Sequence, residues 1–183
     1  MEKKYKLTEE TLEIDGHVLN RIIALRDFGE VKKGDLGGFI EKESNLAHYW
    51  NCWIYNDAIV YGNAMVCDNA MVCGNAMVYG DATVYGAAKV CDNAKVCGEA
   101  TVYGNADVCG NAMVYGNAEV CGEAKVEKNP TTSCSRIGGA VEDILLGRAR
   151  TICGLLGAFT VRVRNLSRRL IKRARRKVVN MRE

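Results

Sequence analysis

The chain has 183 residues, 48% of them apolar, and its 25 Lys and Arg against 22 Asp and Glu leave a net charge of +3. That size holds one domain with an appendage, and that apolar content excludes disorder throughout. Nowhere do ~18 to 20 consecutive apolar residues occur, so no segment of the sequence is expected to cross a bilayer as a helix.

The small net charge conceals a division. Through Asn129 there are 12 basic and 19 acidic residues, a balance of −7; from Pro130 onward there are 13 and 3, a balance of +10. The two parts are expected to meet different partners, or each other. The 9 cysteines are odd in number, and 6 of them occupy one fixed position of a repeat. No secretory leader is recognisable in the Lys- and Glu-rich start, so the expected setting is a reducing cytoplasm, not a disulfide framework.

In chain order, the organisation reads as an N-terminal β-hairpin and cap (residues 1–45), a repeat region (46–128), and a linker with cationic amphipathic helices (129–183). Tyr5 to Ile14 and His17 to Leu25 are strand-like runs around Asp15-Gly16, a dipeptide suited to the φ > 0 positions of a tight hairpin. Asp27-Phe28-Gly29 has no kinase context around it, and Gly34-Asp35-Leu36-Gly37-Gly38 lacks the Lys-Ser or Lys-Thr of a phosphate loop; the latter reads as a turn. Phe39 to Trp53 reads as an imperfect first coil. Leu46 lies 8 residues before Ile54 where the repeat would place it 6 before, so two extra residues should bulge there. Trp50 and Trp53 are expected to cover the open end of the core.

From Ile54 to Val126 one six-residue phrase recurs 12 times without insertion: an aliphatic residue, Tyr or Cys, usually Gly, usually Asn, Ala, then a variable residue. A period of six is neither helical nor a hairpin alternation, and marks a β-solenoid. Three hexads close a triangular coil whose successors stack at ~4.8 Å. The aliphatic and Ala columns should face inward, and Gly, Asn and Asp should take the bends, where left-handed backbone angles cost them least.

This pattern resembles the left-handed parallel β-helix of the hexapeptide-repeat transferase superfamily. The preceding Asp27-Phe28-Gly29, Gly37-Gly38-Phe39-Ile40-Glu41, Asn45-Leu46 and Asn51-Cys52-Trp53 resemble the leader of small bacterial and prophage hexapeptide proteins of unassigned activity. The resemblance implies a left-handed all-β solenoid of about four to five coils, and a homotrimer with parallel axes. Acyltransferases of the superfamily use a coil histidine as general base, a role suited to a group titrating near neutrality. No histidine occurs in these repeats; His17 lies in the hairpin, and His48, in the irregular first coil, is the remaining candidate base. The carbonic anhydrases of this fold take zinc on three histidines, and the chain has 2. No metal or cofactor is therefore expected, and the sequence identifies no small-molecule substrate.

Counting by eighteen puts Cys73, Cys91 and Cys109 in one outward column below Tyr55, Tyr61, Tyr79, Cys97 and Tyr115 in a second, and Cys67, Tyr85, Tyr103 and Cys121 in a third. No face carries a threonine or lysine ladder of the kind ice or nucleic acid would need. With Met65, Met71 and Met77 beside them, Tyr61, Tyr79, Tyr85, Tyr103 and Tyr115 are too apolar for pure solvent surface and are the expected oligomer interface.

Beyond Pro130 the apolar spacing becomes that of an amphipathic helix, weakened in its first half by Gly147, Gly154 and Gly157. Its second half carries Arg162, Arg164, Arg168, Arg169, Lys172, Arg173, Arg175 and Arg176 on the polar side. This basic tail is the expected contact with a partner: a protein, an anionic membrane surface or nucleic acid. The expected function is a non-catalytic trimeric scaffold or binding protein, with a hexapeptide-type acyltransferase and a phage-encoded inhibitor of a host protein as the other readings.

Overall fold

The structure, a computed structural model, describes residues 2–127 and the short strand at 136–137. The basic tail, with Arg162, Arg164, Arg168, Arg169, Lys172, Arg173, Arg175 and Arg176, lies outside the described residues.

Strands β1 (Tyr5–Ile14) and β2 (His17–Ala24) pair antiparallel around Asp15 and Gly16, whose φ values of 50° and 80° are the left-handed pair that a two-residue hairpin turn requires. Strand β3 (Leu36–Ile40) pairs antiparallel with β2 and parallel with β5 (Ile59–Val60). The hairpin therefore extends one side of the solenoid past its first coil. The segment read as a turn at Gly34 to Gly38 is a turn only as far as Asp35; Leu36, Gly37 and Gly38 belong to β3. Those two glycines serve close approach: a Cβ on Gly37 would lie 2.7 Å from the Ile54 carbonyl oxygen, and one on Gly38 2.2 Å from that of Ala58.

The repeats form two-residue strands, an outward residue followed by an inward aliphatic one, stacked in three parallel sheets. The hairpin face continues from β5 through β8 (Met77–Val78), β11 (Lys95–Val96) and β14 (Met113–Val114). The second face holds β6 (Met65–Val66), β9 (Thr83–Val84), β12 (Thr101–Val102), β15 (Glu119–Val120) and β17 (Arg136–Ile137). The third holds β4 (Trp53–Ile54), β7 (Met71–Val72), β10 (Lys89–Val90), β13 (Asp107–Val108) and β16 (Lys125–Val126). From β7 to β16 each strand sits on the one eighteen residues earlier, so Val78, Val96 and Val114 are in register, as are Val72, Val90 and Val108. The inward Val and Ala columns are the core, with Val60 to Val120 fully shielded. Backbone hydrogen bonds join successive coils, as from Tyr79 N–H to Val96 O at 3.0 Å and Asp81 N–H to Gly98 O at 2.8 Å.

The first coil is the irregular one. Ile40 and Leu46 lie opposite Val60 and Val66, twenty residues on, whereas Ile54 lies opposite Val72, eighteen on. The two extra residues fall between Leu46 and Ile54, as their spacing implies, and the chain loops out there. With four coils from the twelve hexads, the solenoid has about five turns. Tyr5, Phe28, Val31 and Trp53 close its N-terminal end, Phe28 meeting Trp53 edge-on at 5.2 Å. Trp50 takes no part: it sits in the outward loop at φ 59° and is 63% exposed.

Candidate functional site

Two groups of chemically capable side chains stand out, one at the N-terminal cap and one on the coil faces. The cap group surrounds Lys4, which is fully buried despite its charge. Its ammonium donates to the Cys52 carbonyl at 2.8 Å, lies 3.2 Å from the Cys52 thiol, and sits 5.0 Å over the Phe28 ring. Burial pulls the Lys4 ammonium below its ordinary pKa and pushes the Cys52 thiol up. Tyr5 reaches over the same region, its hydroxyl donating toward the Glu43 and Leu46 carbonyls at 2.9 and 2.8 Å; burial raises its pKa well above the ordinary phenol range.

His48 stacks on Tyr5 with ring centroids 4.3 Å apart. Its Nδ1 accepts the Lys4 backbone N–H at 3.3 Å, so the ring's proton belongs on Nε2, which points at Glu43 Oε2, 3.9 Å away, without a hydrogen bond to it. Burial lowers the His48 pKa, outweighing Glu43. The nitrogen that could take a proton is thus occupied by the backbone, and the ring acts as part of the lid. His17 is likewise engaged, its Nδ1 2.9 Å from Glu41 Oε1. Asn45, fully buried, holds the bend of the first coil: its Oδ1 accepts the Lys42 N–H at 2.9 Å and its Nδ2 donates to the Gly62 and Ala64 carbonyls at 3.1 and 2.7 Å.

The coil faces differ in chemistry. Tyr61, Tyr79, Tyr115 and Met77 belong to the hairpin face, Tyr85, Tyr103 and Met65 to the second, and Met71 to the third, so the expected interface residues divide over three faces. Tyr61 stacks on Tyr79 at 5.1 Å and Tyr85 on Tyr103 at 5.0 Å, both nearly parallel. Tyr61 is buried by the chain's own hairpin: its hydroxyl bonds Asp15 at 3.3 Å and its ring lies 5.1 Å from that of His17. The third face carries Cys73, Cys91 and Cys109 in succession, flanked by Lys89, Asp107 and Lys125. A cleft of about 280 Å³ opens above it, lined by Gly29, Glu30, Asn51, Tyr55, Asn69 and Met71.

Sequence reasoning missed Lys4, Tyr5, Asn45 and Cys52. Lys4 sits in a run of lysines and gives no signal; Cys52, off the repeat's thiol position, was the one available hint. It also passed over Asp107, although the position two residues before a face cysteine points to the same side of a strand.

Five stacked three-sided turns with an aliphatic and an alanine column define the chain as a parallel β-solenoid of hexapeptide-repeat type. Residues 70–86 and 108–122 match the family described as YdcK beta solenoid repeat. The chain is also 42% identical over 62 residues to a protein named "Uncharacterized acetyltransferase YdcK" from Escherichia coli (strain K12), a match covering 30% of this chain and 19% of that protein. The chain therefore spans about a fifth of the length of the curated relative it matches. These matches agree with the resemblance to hexapeptide-repeat proteins of unassigned activity.

Proposed function

We propose that this chain is a non-catalytic, left-handed solenoid that assembles as a homotrimer and serves as a rigid scaffold, with the basic residues beyond Pro130 contacting a partner. The observation that carries this reading is the distribution of the face side chains. Two faces present stacked tyrosines with methionines beside them, Met65 being 41% exposed, while the third presents thiols and charges. In a trimer with parallel axes each subunit turns two faces toward its neighbours, and Tyr79, Tyr115 and Met77 on one subunit would meet Tyr85, Tyr103 and Met65 on the next. Partly exposed apolar columns of this length are costly in water and inexpensive against another chain.

Native mass spectrometry of the full chain tests the assembly: a trimer that falls to monomer in Tyr85→Glu/Tyr103→Glu is expected, and a monomeric parent at micromolar concentration overturns it. For the basic tail, the salt dependence of binding to duplex DNA and to vesicles containing phosphatidylserine separates the partner classes, since clustered arginines on phosphates give a steep loss with salt.

A second reading, an acyltransferase, is supported by the name of the Escherichia coli protein that the chain resembles. Turnover of acetyl-CoA that disappears in His48→Ala would favour it over the scaffold. The occupied Nδ1 of His48 and the engagement of His17 with Glu41 speak for the scaffold.

A further inference from the structure

The third face alone carries three cysteines on successive rungs. The outward residues of a hexad flank its inward valine, so Asp107 and Cys109 project on either side of Val108, and Lys89 and Cys91 on either side of Val90. Because β10 stacks in register on β13, Cys91 stands directly over Cys109. The two sulfurs and an Asp107 carboxylate oxygen all lie within 4.8 Å of one another, and Cys91 Sγ is 3.9 Å from Asp107 Oδ1. All three side chains are half-buried, and both thiols are free. Cys73, also free, occupies the next rung on the far side of Cys91. On the other faces each cysteine column is interrupted by tyrosine, and among the described residues this is the one cluster with the spacing of a metal site.

We propose that Cys91, Asp107 and Cys109 bind a thiophilic divalent d10 cation of the zinc class, with the fourth position taken by water. Bonds of ~2.3 Å to sulfur and ~2.1 Å to oxygen put donors around a tetrahedral zinc ion roughly 3.5 to 3.8 Å apart. The present separations close to those values by side-chain rotation, with no change in the coil backbone. Two thiolates with one carboxylate select zinc or cadmium over magnesium or calcium, which prefer all-oxygen shells. The excess negative charge of such a ligand set is balanced by its neighbours: Lys125 Nζ is 3.9 Å from Asp107 Oδ2, and Lys89 lies two residues before Cys91. The site is built within one subunit, so it does not depend on the trimer.

The test uses the full chain with Cys134 and Cys153 replaced by Ser, which removes the thiols outside the described residues. Zinc alone is titrated in competition with a chromophoric chelator, and cadmium alone is followed by its sulfur charge-transfer absorption. One ion per chain is expected. Cys91→Ser should abolish the cadmium band, Asp107→Asn should weaken zinc binding by about tenfold or more, and Cys97→Ser, on the hairpin face, should leave both unchanged. X-ray absorption of the zinc-loaded protein should show at least two sulfur neighbours. Absence of stoichiometric binding, binding that survives Cys91→Ser, loss on Cys97→Ser, or a shell without sulfur overturns the proposal.

Discussion

At the bend of each hexad one backbone position must adopt a left-handed conformation, and the chain meets this in two ways. Glycine fills most of these positions, at φ near 70°, while Asn56, Asp68 and Asp92 fill the others at φ 56°, 57° and 61°. The three exceptions repay their strain locally, for each side chain accepts the N–H of the residue eighteen positions on: Gly74 at 3.4 Å, Gly86 at 3.1 Å and Gly110 at 2.9 Å. A Cβ at Gly86 would lie 2.9 Å from the Gly104 backbone nitrogen, so Gly86→Asn should cost about 1 kcal/mol even with the Gly104 N–H to accept, whereas Gly86→Val, with no such bond and a branched side chain in the left-handed region, should cost about 2 kcal/mol or more. Gly38 is a different case, since the carbonyl of Ala58 stands where its Cβ would go. Gly38→Ala should cost about 3 kcal/mol by overpacking. Urea unfolding of the three variants against the parent measures all of these, and equal costs for Asn and Val at position 86 would refute the account of the bend. Lys4 poses the opposite question, a charge that burial opposes. Lys4→Ala leaves a cavity and a Cys52 carbonyl without its donor and should cost about 3 kcal/mol, while Lys4→Met restores the volume and should cost less than half as much.

Among the elements, the N-terminal lid is where stability responds to pH. His48 is held below the ordinary imidazole pKa of 6.5 chiefly by burial, against the opposing pull of Glu43 and with Lys3, Lys4 and Arg26 lowering it further. On acidification through pH 6.5 the unfolded chain takes up this proton first, so the folded state loses stability as pH falls toward the depressed folded pKa. Glu43 is held below 4.5 chiefly by its bond from Lys3, and its contribution is lost lower still. Both act in the same direction. The urea midpoint should drop between pH 7.5 and pH 5.5 and drop less in His48→Gln; a midpoint that rises on acidification would contradict the lid geometry. The hairpin adds a second dependence between elements: by packing Leu19, Phe39 and Tyr61 together it withdraws the top of one face from any intersubunit contact.

For the molecule as a whole, stability is built coil upon coil. Each of the four regular turns contributes three aliphatic residues and three alanines to a thin core, and what makes that sufficient is the backbone pairing of each turn with its neighbours. Val90→Ala, in the middle of this stack, should cost about 2 kcal/mol whatever the oligomeric state, because the valine column meets only its own chain. Chemical denaturation at two protein concentrations checks this: a midpoint independent of concentration for the loss in Val90→Ala is expected. The three faces differ in what they present, two with stacked tyrosines and one with successive thiols, while both histidines are engaged at the cap and hairpin.

The amino-acid sequence alone determined the coil number, the inward columns, the bend residues, the Asp15-Gly16 turn and the two-residue insertion after Leu46, because a strict period of six fixes every contact at a separation of eighteen. Tertiary structure alone decided the ends. Lys4 meets Cys52 across 48 residues and Tyr61 meets Asp15 across 46, distances that no period encodes. It also decided that Trp53 closes the core while Trp50 stays in solvent, and that Gly37 and Gly38 are strand residues beneath Ile54 and Ala58. A lid is specified by the shape of the opening it must fill, and that shape exists only once the coils have stacked.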